Sequence, residues 1–351
     1  MRAGLLIALC LFSLSSYAVE FADLYRGEVE VNERDNAARN AGVRSALAKV
    51  LIRVTGDDAL PSSDAGKALI RRADSFMLTY AFQTTVPMTL SVSFDKAKLQ
   101  QQMRQMGLPI WGAQRPTTIH WLALEQQDGR TILINDAVEQ GELVASEAEA
   151  RGLPQLLPLL DLEDSLKANI NDVNGNFPKP VIEASQRYGS DFVLMSSIYP
   201  EQGQWHYRIN LYSGTVADSD FYIPRSLLHS DGQVASVELA VEALLAEVAK
   251  YYADRYASVV SAERQQTQLR FTLTGGVEQL VALRGYLVSL APVQAAHVVA
   301  ITGTQVDLEL DLVGGLEEVE QLLSLERRIS KIEVVDQLQQ RDVQYQWSDL
   351  D

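Results

Sequence analysis

The sequence predicts an α/β protein of the α+β kind, built from three small sandwich modules in tandem. Three observations lead to this prediction. The chain has 351 residues, hydrophobic patterns of period two and of period 3.6 alternate along it, and two polar or Gly/Pro-rich segments interrupt them. Because one domain usually holds about 100 to 200 residues, this length indicates two or three domains.

Composition excludes several classes of protein. The chain is 47% hydrophobic and 22% charged, which is ordinary for a globular protein and unlike a disordered chain or a multispan membrane protein. Lys and Arg number 30 against 46 Asp and Glu, a net charge of −16. A field of this sign repels phosphate backbones, so we expect no nucleic-acid partner.

Residues 1–18 have the pattern of a cleavable signal peptide. Met1 and Arg2 precede an apolar run from Leu5 to Leu14, and small residues follow up to Ala18. The run is about ten residues long, whereas a spanning helix needs roughly 20, so we expect cleavage after Ala18 and no membrane span. Cys10 is the only cysteine, so the mature chain would lack thiols. The sequence thus predicts a periplasmic protein without disulfides or Cys-based zinc sites. We also expect no metal and no cofactor.

The amino-terminal module is predicted to cover residues 19–110, around an Ala-rich helix. A weakly alternating strand precedes this helix, Asn32 or Asp35 caps its start, and Gly56 ends it. The remaining predicted elements are a helix at Ala65–Asp74, a strand at Leu90–Phe94, and a helix from Asp95 to Gly107.

The middle module is predicted to cover residues 111–257 and opens with the Gly/Pro-rich segment 107–116. Its predicted helices are Glu139–Arg151, Lys179–Tyr188, and a long amphipathic helix from Asp231-Gly232 to Tyr256. Its predicted strands are Thr118–Glu125, Phe192–Tyr199, Trp205–Tyr212 and Phe221–Ile223.

After a polar linker, the third module is predicted at residues 268–336. Its strands are expected at Gln268–Thr274, Ala296–Thr302, Val306–Val313 and Lys331–Val335, and its helices at Val277–Leu290 and Leu316–Ile329. This βαββαβ order is typical of a ferredoxin-like unit. Residues 337–351 are polar, and we expect a frayed tail there.

Three segments carry a family resemblance. They read NERDNAARNAG at 32–42, GLPIWGAQRP at 107–116 and RGLPQLLPLLDL at 151–162. Together, over roughly Val19 to Tyr256, the chain resembles the uncharacterised gammaproteobacterial "domain of unknown function 2066" family. This resemblance implies a periplasmic location and no known activity. Within the middle module, RYGSDFVLM at 187–195 is similar to the TolB amino-terminal type of module, which implies assembly work in the cell envelope.

Candidate partner-binding residues surround the linker that opens the middle module. Trp111 lies in a Gly/Pro loop outside any helix or strand stripe, and Trp and Arg are frequent in protein-binding hot spots. The candidates are Trp111, Arg115, His120, Trp121 and Arg151. The alternative is that Trp111 folds back and seals the junction between the first two modules.

No motif predicts catalysis. Four histidines are dispersed, and the nucleophile motif Gly-x-Ser-x-Gly is absent. We therefore expect a non-enzymatic adaptor or scaffold that binds envelope proteins. Two alternatives stay open: a binding module for an envelope ligand such as a peptidoglycan fragment, stacked on Trp111 or Trp121, and a hydrolase using Asp161 and Asp164. The sequence also leaves open whether the third module joins subunits.

Overall fold

A computed structural model of the protein describes residues 24–84, 86–214, 223–258, 265–335 and 341–348. The predicted signal peptide at 1–18 lies outside these residues. Within them the chain forms three separate sheets with helices between the strands, so the predicted α/β class with several small modules is confirmed. None of the described helices has the length and apolar character needed to cross a membrane.

The amino-terminal module packs a three-stranded sheet of order β1-β3-β2 against a long helix. Its elements are β1 (Arg26–Glu30), α1 (Asn36–Thr55), α2 (Asp64–Arg71), α3 (Ala73–Phe76), β2 (Met77–Gln83), β3 (Thr89–Phe94) and α4 (Lys96–Gln105). The Asp35 side chain accepts a hydrogen bond from the Ala38 amide at the start of α1, and Gly56 ends the helix in the left-handed region. Both predicted ends of this helix are confirmed.

The middle module has a mixed sheet of order β5-β4-β7-β8-β9, with β6 beside β4. Its strands are β4 (Thr118–Glu125), β5 (Thr131–Leu133), β6 (Gln155–Leu156), β7 (Phe192–Glu201), β8 (Gln204–Ser213) and β9 (Leu228–Val234). Its helices are α5 (Glu139–Arg151), α6 (Leu162–Lys167), α7 (Ile170–Asn174), α8 (Pro178–Ser185) and α9 (Val237–Tyr256). One sheet side packs on α5 and α9, and the other packs on α7 and α8.

The start of α9 differs from the sequence prediction. Asp231 and Gly232 lie in strand β9, paired with Arg208 and Tyr207 of β8. The long helix begins five residues later, where the Ser236 side chain accepts from a backbone amide. An edge strand with one solvated side tolerates polar residues and glycine, so β9 lacks a clear hydrophobic alternation. Residues 221 and 222 of the predicted strand Phe221–Ile223 lie outside the described residues.

The third module forms a five-stranded sheet of order β11-β12-β10-β14-β13. Its elements are β10 (Gln265–Leu273), α10 (Val277–Ser289), β11 (Val293–Thr302), β12 (Gln305–Leu312), α11 (Leu316–Leu323), β13 (Ile329–Val335) and β14 (Arg341–Trp347). The first six elements follow the predicted order.

The predicted frayed tail at 337–351 contains a strand, β14, that lies inside the sheet and not at its edge. Strand β14 pairs in parallel with β10 and antiparallel with β13, and it therefore separates two strands that a simple βαββαβ unit would place side by side. Tyr345 and Trp347 are 2% and 1% exposed. Burial of these two aromatic side chains outweighs the polar character of their neighbours and fixes the segment in the sheet.

The modules share packing surfaces. The side of the middle sheet that faces α9 and the core of the third module belong to one continuous hydrophobic cluster. The end of α1 meets α9 so closely that a Cβ atom on Gly56 would lie 2.4 Å from the Cβ of Ala253. Segment 107–116 therefore runs between packed elements.

Candidate functional site

The loop carrying Trp111 is clamped from two sides. The Trp111 amide donates to the Val54 carbonyl in the last turn of α1 at 2.7 Å, and Ile110 and Ser258 exchange two backbone hydrogen bonds. The Trp111 side chain is fully buried, and its ring lies 6.2 Å from that of Tyr252 on α9. Trp111 thus occupies the junction between the first two modules, which is the alternative weighed for it above.

Arg115 is the polar centre of this junction. All five of its N–H groups donate to backbone carbonyl oxygens, at distances from 2.7 to 3.2 Å. These oxygens belong to Arg53, Trp111, Gly112, Arg151 and Gly152. Burial lowers the pKa of Arg115 to about 9, so the side chain is protonated at neutral pH. The carbonyl ends of α1 and α5 converge on this cation, and helix dipoles favour positive charge there.

Arg151 ties the same two modules together through charge. Its Nη1 lies 2.6 Å from an Asp58 carboxylate oxygen in the loop after α1, and its Nη2 lies 3.8 Å from a Glu242 carboxylate oxygen on α9. The arginine side chain is 7% exposed. Its position predicts a structural contribution to the junction.

His120 is buried on the α9 side of the middle sheet. Its Nε2 is hydrogen-bonded to the Ser196 hydroxyl at 2.6 Å, and its Nδ1 is hydrogen-bonded to the Gln155 amide at 2.8 Å. Burial lowers the pKa of His120 to about 3, so the ring is neutral at neutral pH. Trp121 points to the opposite side of β4, where its Nε1 donates to the Ser185 hydroxyl.

The five predicted partner-binding residues therefore do not form one surface. Each of the five residues is at most 7% exposed. His120 and Trp121 lie on opposite sides of strand β4. Buried side chains offer a partner little contact area, and the partner-binding role of these five residues stays a prediction. Neither Trp111 nor Trp121 exposes a ring face on which a sugar would stack.

The acidic cluster near α6 is engaged in structural contacts. Asp161 caps α6 and lies 2.7 Å from Arg187, whose hydrogen bond lowers the pKa of that carboxyl. Asp164 is fully buried and accepts from the Tyr188 hydroxyl at 2.6 Å and from the Leu160 amide at 2.9 Å. A general acid needs a raised pKa and access to substrate. The contacts of these two carboxylates favour helix capping over hydrolysis.

Two known families match parts of this chain, one near each end. Residues 18–112 match a domain of unknown function, DUF8605. Residues 266–338 match DUF2066. The DUF2066 match covers most of the third module. No curated protein matches the chain.

The DUF2066 match corrects the position of the resemblance. The sequence motifs placed it over roughly Val19 to Tyr256, whereas the matched segment begins at residue 266 and covers β10 to β13. The motif at 32–42 lies instead within the DUF8605 match. The likeness of residues 187–195 to the TolB type of module stays a prediction.

The DUF2066 segment also carries an exposed apolar surface that the sequence interpretation missed. We call the exposed apolar residues of helix α10 and strand β11 the α10–β11 face: Val277, Val281 and Val288 of α10 and Val298 and Ile301 of β11 are 75%, 67%, 46%, 41% and 58% exposed, and Gly285 lies between Val281 and Val288. The four α10 residues follow the spacing i, i+4, i+8, i+11, which places them on one side of a helix. That spacing was visible in the sequence. The inward side of α10 is equally apolar, so periodicity alone did not indicate which side faces solvent.

A second exposed apolar surface lies on the middle module. We call it the α6 face and define it by Leu159, Leu162 and Leu166, which are 60%, 75% and 77% exposed. Helix α6 is fixed to the rest of the module by Asp164, which accepts hydrogen bonds from the Leu160 amide and the Tyr188 hydroxyl. Exposed apolar residues grouped in this way mark interaction surfaces.

Proposed function

We propose that this protein is a non-enzymatic adaptor or scaffold of the bacterial cell envelope, located in the periplasm, that acts through protein–protein contacts. The observation that carries the proposal is the contrast between its polar and apolar residues. Arg115 and Arg151 are enclosed in the module junction and His120 is buried within the middle module, whereas leucines and valines are exposed on the α6 face and the α10–β11 face. Two separate apolar surfaces suit a protein that joins other components.

The periplasmic part of the proposal rests on the sequence of residues 1–18, which has the pattern of a cleavable signal peptide. The non-enzymatic part is supported by the state of the candidate catalytic groups. Asp161 and Asp164, which the hydrolase alternative would use, are held by Arg187 and Tyr188.

The test is photocrosslinking in living cells from position 166 on the α6 face. We expect one envelope protein to be captured and identified by mass spectrometry, and its purified form to bind the wild-type chain. Leu166→Glu should abolish that binding because it places a charge in an apolar contact. A photocrosslinker at Val86, which is fully exposed on the first module, serves as the control position.

Capture of the same protein from positions 166 and 86 would indicate non-specific proximity and contradict the proposal. Absence of any protein adduct from position 166, with the chain exported and folded, would also contradict it. Binding of muropeptides that quenches tryptophan fluorescence would then favour the ligand-binding alternative.

A further inference from the structure

Strand β2 leaves one edge of the amino-terminal sheet open. In the order β1-β3-β2 it is an edge strand, and its residues from Leu78 to Ala81 are all exposed. Leu78 and Tyr80 are 61% and 43% exposed. Because successive side chains point to opposite sides of a strand, neither side of this stretch is covered.

The hydrogen bonds of β3 show which backbone groups of β2 face outward. Alternate residues of a strand direct their N–H and C=O groups to opposite neighbours. The Phe94 amide donates to the Tyr25 carbonyl beside β1, so the even-numbered residues of β3 bond to β1 and the odd-numbered residues bond to β2. Ala81, which pairs with Ser91, therefore bonds to β3. The backbone groups of its two neighbours point away from the sheet.

Tyr80 and Phe82 carry these outward N–H and C=O groups, which have no hydrogen-bond partner within the part of the chain that the structure describes. The other edge of the sheet is closed, because Arg53 and Lys49 of α1 donate to the outward carbonyls of β1 at 2.8 and 3.0 Å. Charged side chains, proline or bulges protect most natural edge strands from pairing. Apart from a register shift at its first residues, β2 has none of these and is open to another strand.

We propose that β2 pairs antiparallel with β2 of a second copy of this chain, around a two-fold axis at Ala81. With Ala81 opposite its own counterpart, Tyr80 lies opposite Phe82 of the second copy, and Phe82 lies opposite Tyr80. Each of these pairs exchanges two backbone hydrogen bonds, so all four outward groups of each copy find a partner.

The side chains of β2 match in the same register. Tyr80 and Phe82 share one side of the strand, where their rings meet edge to face at 6.1 Å, and each gains an aromatic neighbour across the new pair. On the other side Thr79 lies opposite Gln83, and the small side chain of Ala81 suits the close approach at the axis. This self-complementarity favours a second copy over an unrelated strand, because a two-fold interface requires it.

Charge does not oppose this pairing. None of the seven residues of β2 is charged. Arg39, whose guanidinium lies over the Tyr80 ring, is 3.8 Å from an Asp74 carboxylate oxygen. Glu28, on the other side of the sheet, is 2.8 Å from Arg26. The net charge of −16 on each copy is therefore not concentrated at this edge, and two copies can meet here without strong repulsion.

Cysteine crosslinking of the purified mature chain tests the register. The only native cysteine, Cys10, lies in the predicted signal peptide, so an introduced cysteine is the single thiol. Facing residues of a non-hydrogen-bonded antiparallel pair have Cα atoms about 4.5 Å apart, which a disulfide can bridge. Ala81→Cys should therefore give a disulfide-linked dimer under mild oxidation.

Thr79→Cys is the matched control for this crosslink. Thr79 is exposed on the same side of the same strand, but its counterpart in the second copy would lie four residues along the strand, roughly 13 Å away. This variant should stay free of disulfide-linked dimer.

Sedimentation velocity over a concentration series tests the dimer without a crosslink. We expect the wild-type chain to form a reversible dimer. Ala81→Glu should raise the dissociation constant at least about tenfold, because it places two carboxylates directly opposite each other. Val277→Glu adds the same charge at an exposed position of the third module and should leave the dimer unchanged.

A wild-type chain that stays monomeric at every concentration would overturn the proposal, and so would equal crosslinking of Ala81→Cys and Thr79→Cys. Neither measurement involves the α6 face. Capture of an envelope protein from position 166 thus remains an independent test of the adaptor function.

Discussion

The guanidinium carbon of Arg115 lies 3.8 Å from the centroid of the Trp111 ring, and Nη2 of Arg115 donates to the Trp111 carbonyl. The two residues are four positions apart, and Nε of Arg115 donates to the Gly112 carbonyl of the same loop. Nη1 and the second N–H of Nη2 reach the carbonyl ends of α5 and α1. A desolvated cation above an indole ring contributes about 2 kcal/mol. Arg115 thereby links the end of α1 in the first module to the end of α5 in the middle module.

Arg115→Lys is expected to lower the free energy of unfolding by about 2 to 4 kcal/mol. Lysine keeps the charge but has three donors for five buried carbonyl oxygens, and each unmet buried acceptor costs about 1 to 3 kcal/mol. Urea denaturation followed by circular dichroism measures the loss. Arg130→Lys is the matched control, since the Arg130 side chain is 78% exposed and should change stability by less than about 0.5 kcal/mol. Equal effects of the two substitutions would contradict the proposed role of Arg115.

Gly56→Ala is expected to destabilise the protein more than Gly107→Ala. Both glycines have a positive φ, of 67° and 66°, so each alanine costs about 1 to 2 kcal/mol of backbone strain. A Cβ on Gly107 meets nothing within 4 Å, whereas a Cβ on Gly56 would clash with Ala253 of α9. The clash adds about 1 to 3 kcal/mol. The difference in unfolding free energy between the two variants therefore measures the contact between α1 and α9, and no difference would mean that this contact is absent in solution.

His120 is expected to make the protein less stable in acid. Burial lowers the pKa of His120 from 6.5 to about 3. Between these values the unfolded chain binds a proton that the native chain does not, so stability falls as pH falls, by up to about 1.4 kcal/mol per pH unit. The measurement is urea denaturation across this pH window for the wild type and His120→Gln. The variant should lose this part of the pH dependence.

His297→Gln is the control for the acid effect, because His297 has a 57% exposed side chain. It should keep the part of the pH dependence that His120 supplies. Histidine NMR provides an independent measurement, in which the His120 ring resonances should not titrate in the window where an exposed histidine does. A His120 resonance that titrates near 6.5 would refute the buried neutral ring.

Local interactions explain which parts of the fold were predictable. The helix α1 was predicted to both ends because its cap at Asp35 and its stop at Gly56 depend on neighbouring residues. The loop that holds Trp111 is fixed by backbone hydrogen bonds to Val54 and Ser258, which are distant in the chain. A local sequence pattern cannot predict such long-range contacts. An aromatic in a Gly/Pro loop has the same sequence pattern whether it seals a junction or contacts a partner.

Edge and inserted strands were missed for a related reason. Strand β9 is polar because one of its sides faces water. Its polar residues Asp231 and Gly232 were therefore predicted as the start of the following helix. In β14, Val343, Tyr345 and Trp347 alternate with polar residues, so the strand pattern was present in the sequence. The position of β14 between β10 and β13 depends on how its aromatic residues pack in the folded module. Amino-acid composition does not predict that packing.

Trp347→Ala is expected to lower the stability of the third module by about 3 to 5 kcal/mol, the usual cost of removing a buried tryptophan. Trp347 is 1% exposed, and the guanidinium carbon of Arg328 lies 4.3 Å from its ring centroid. Limited proteolysis should then cleave the DUF2066 segment first, because β14 pairs with both β10 and β13. Trp205→Ala, at a partly exposed position of the middle module, should cost less and leave that segment protected. If Trp347→Ala has no effect on stability or cleavage, residues 341–347 behave as the frayed tail that their polar composition predicts.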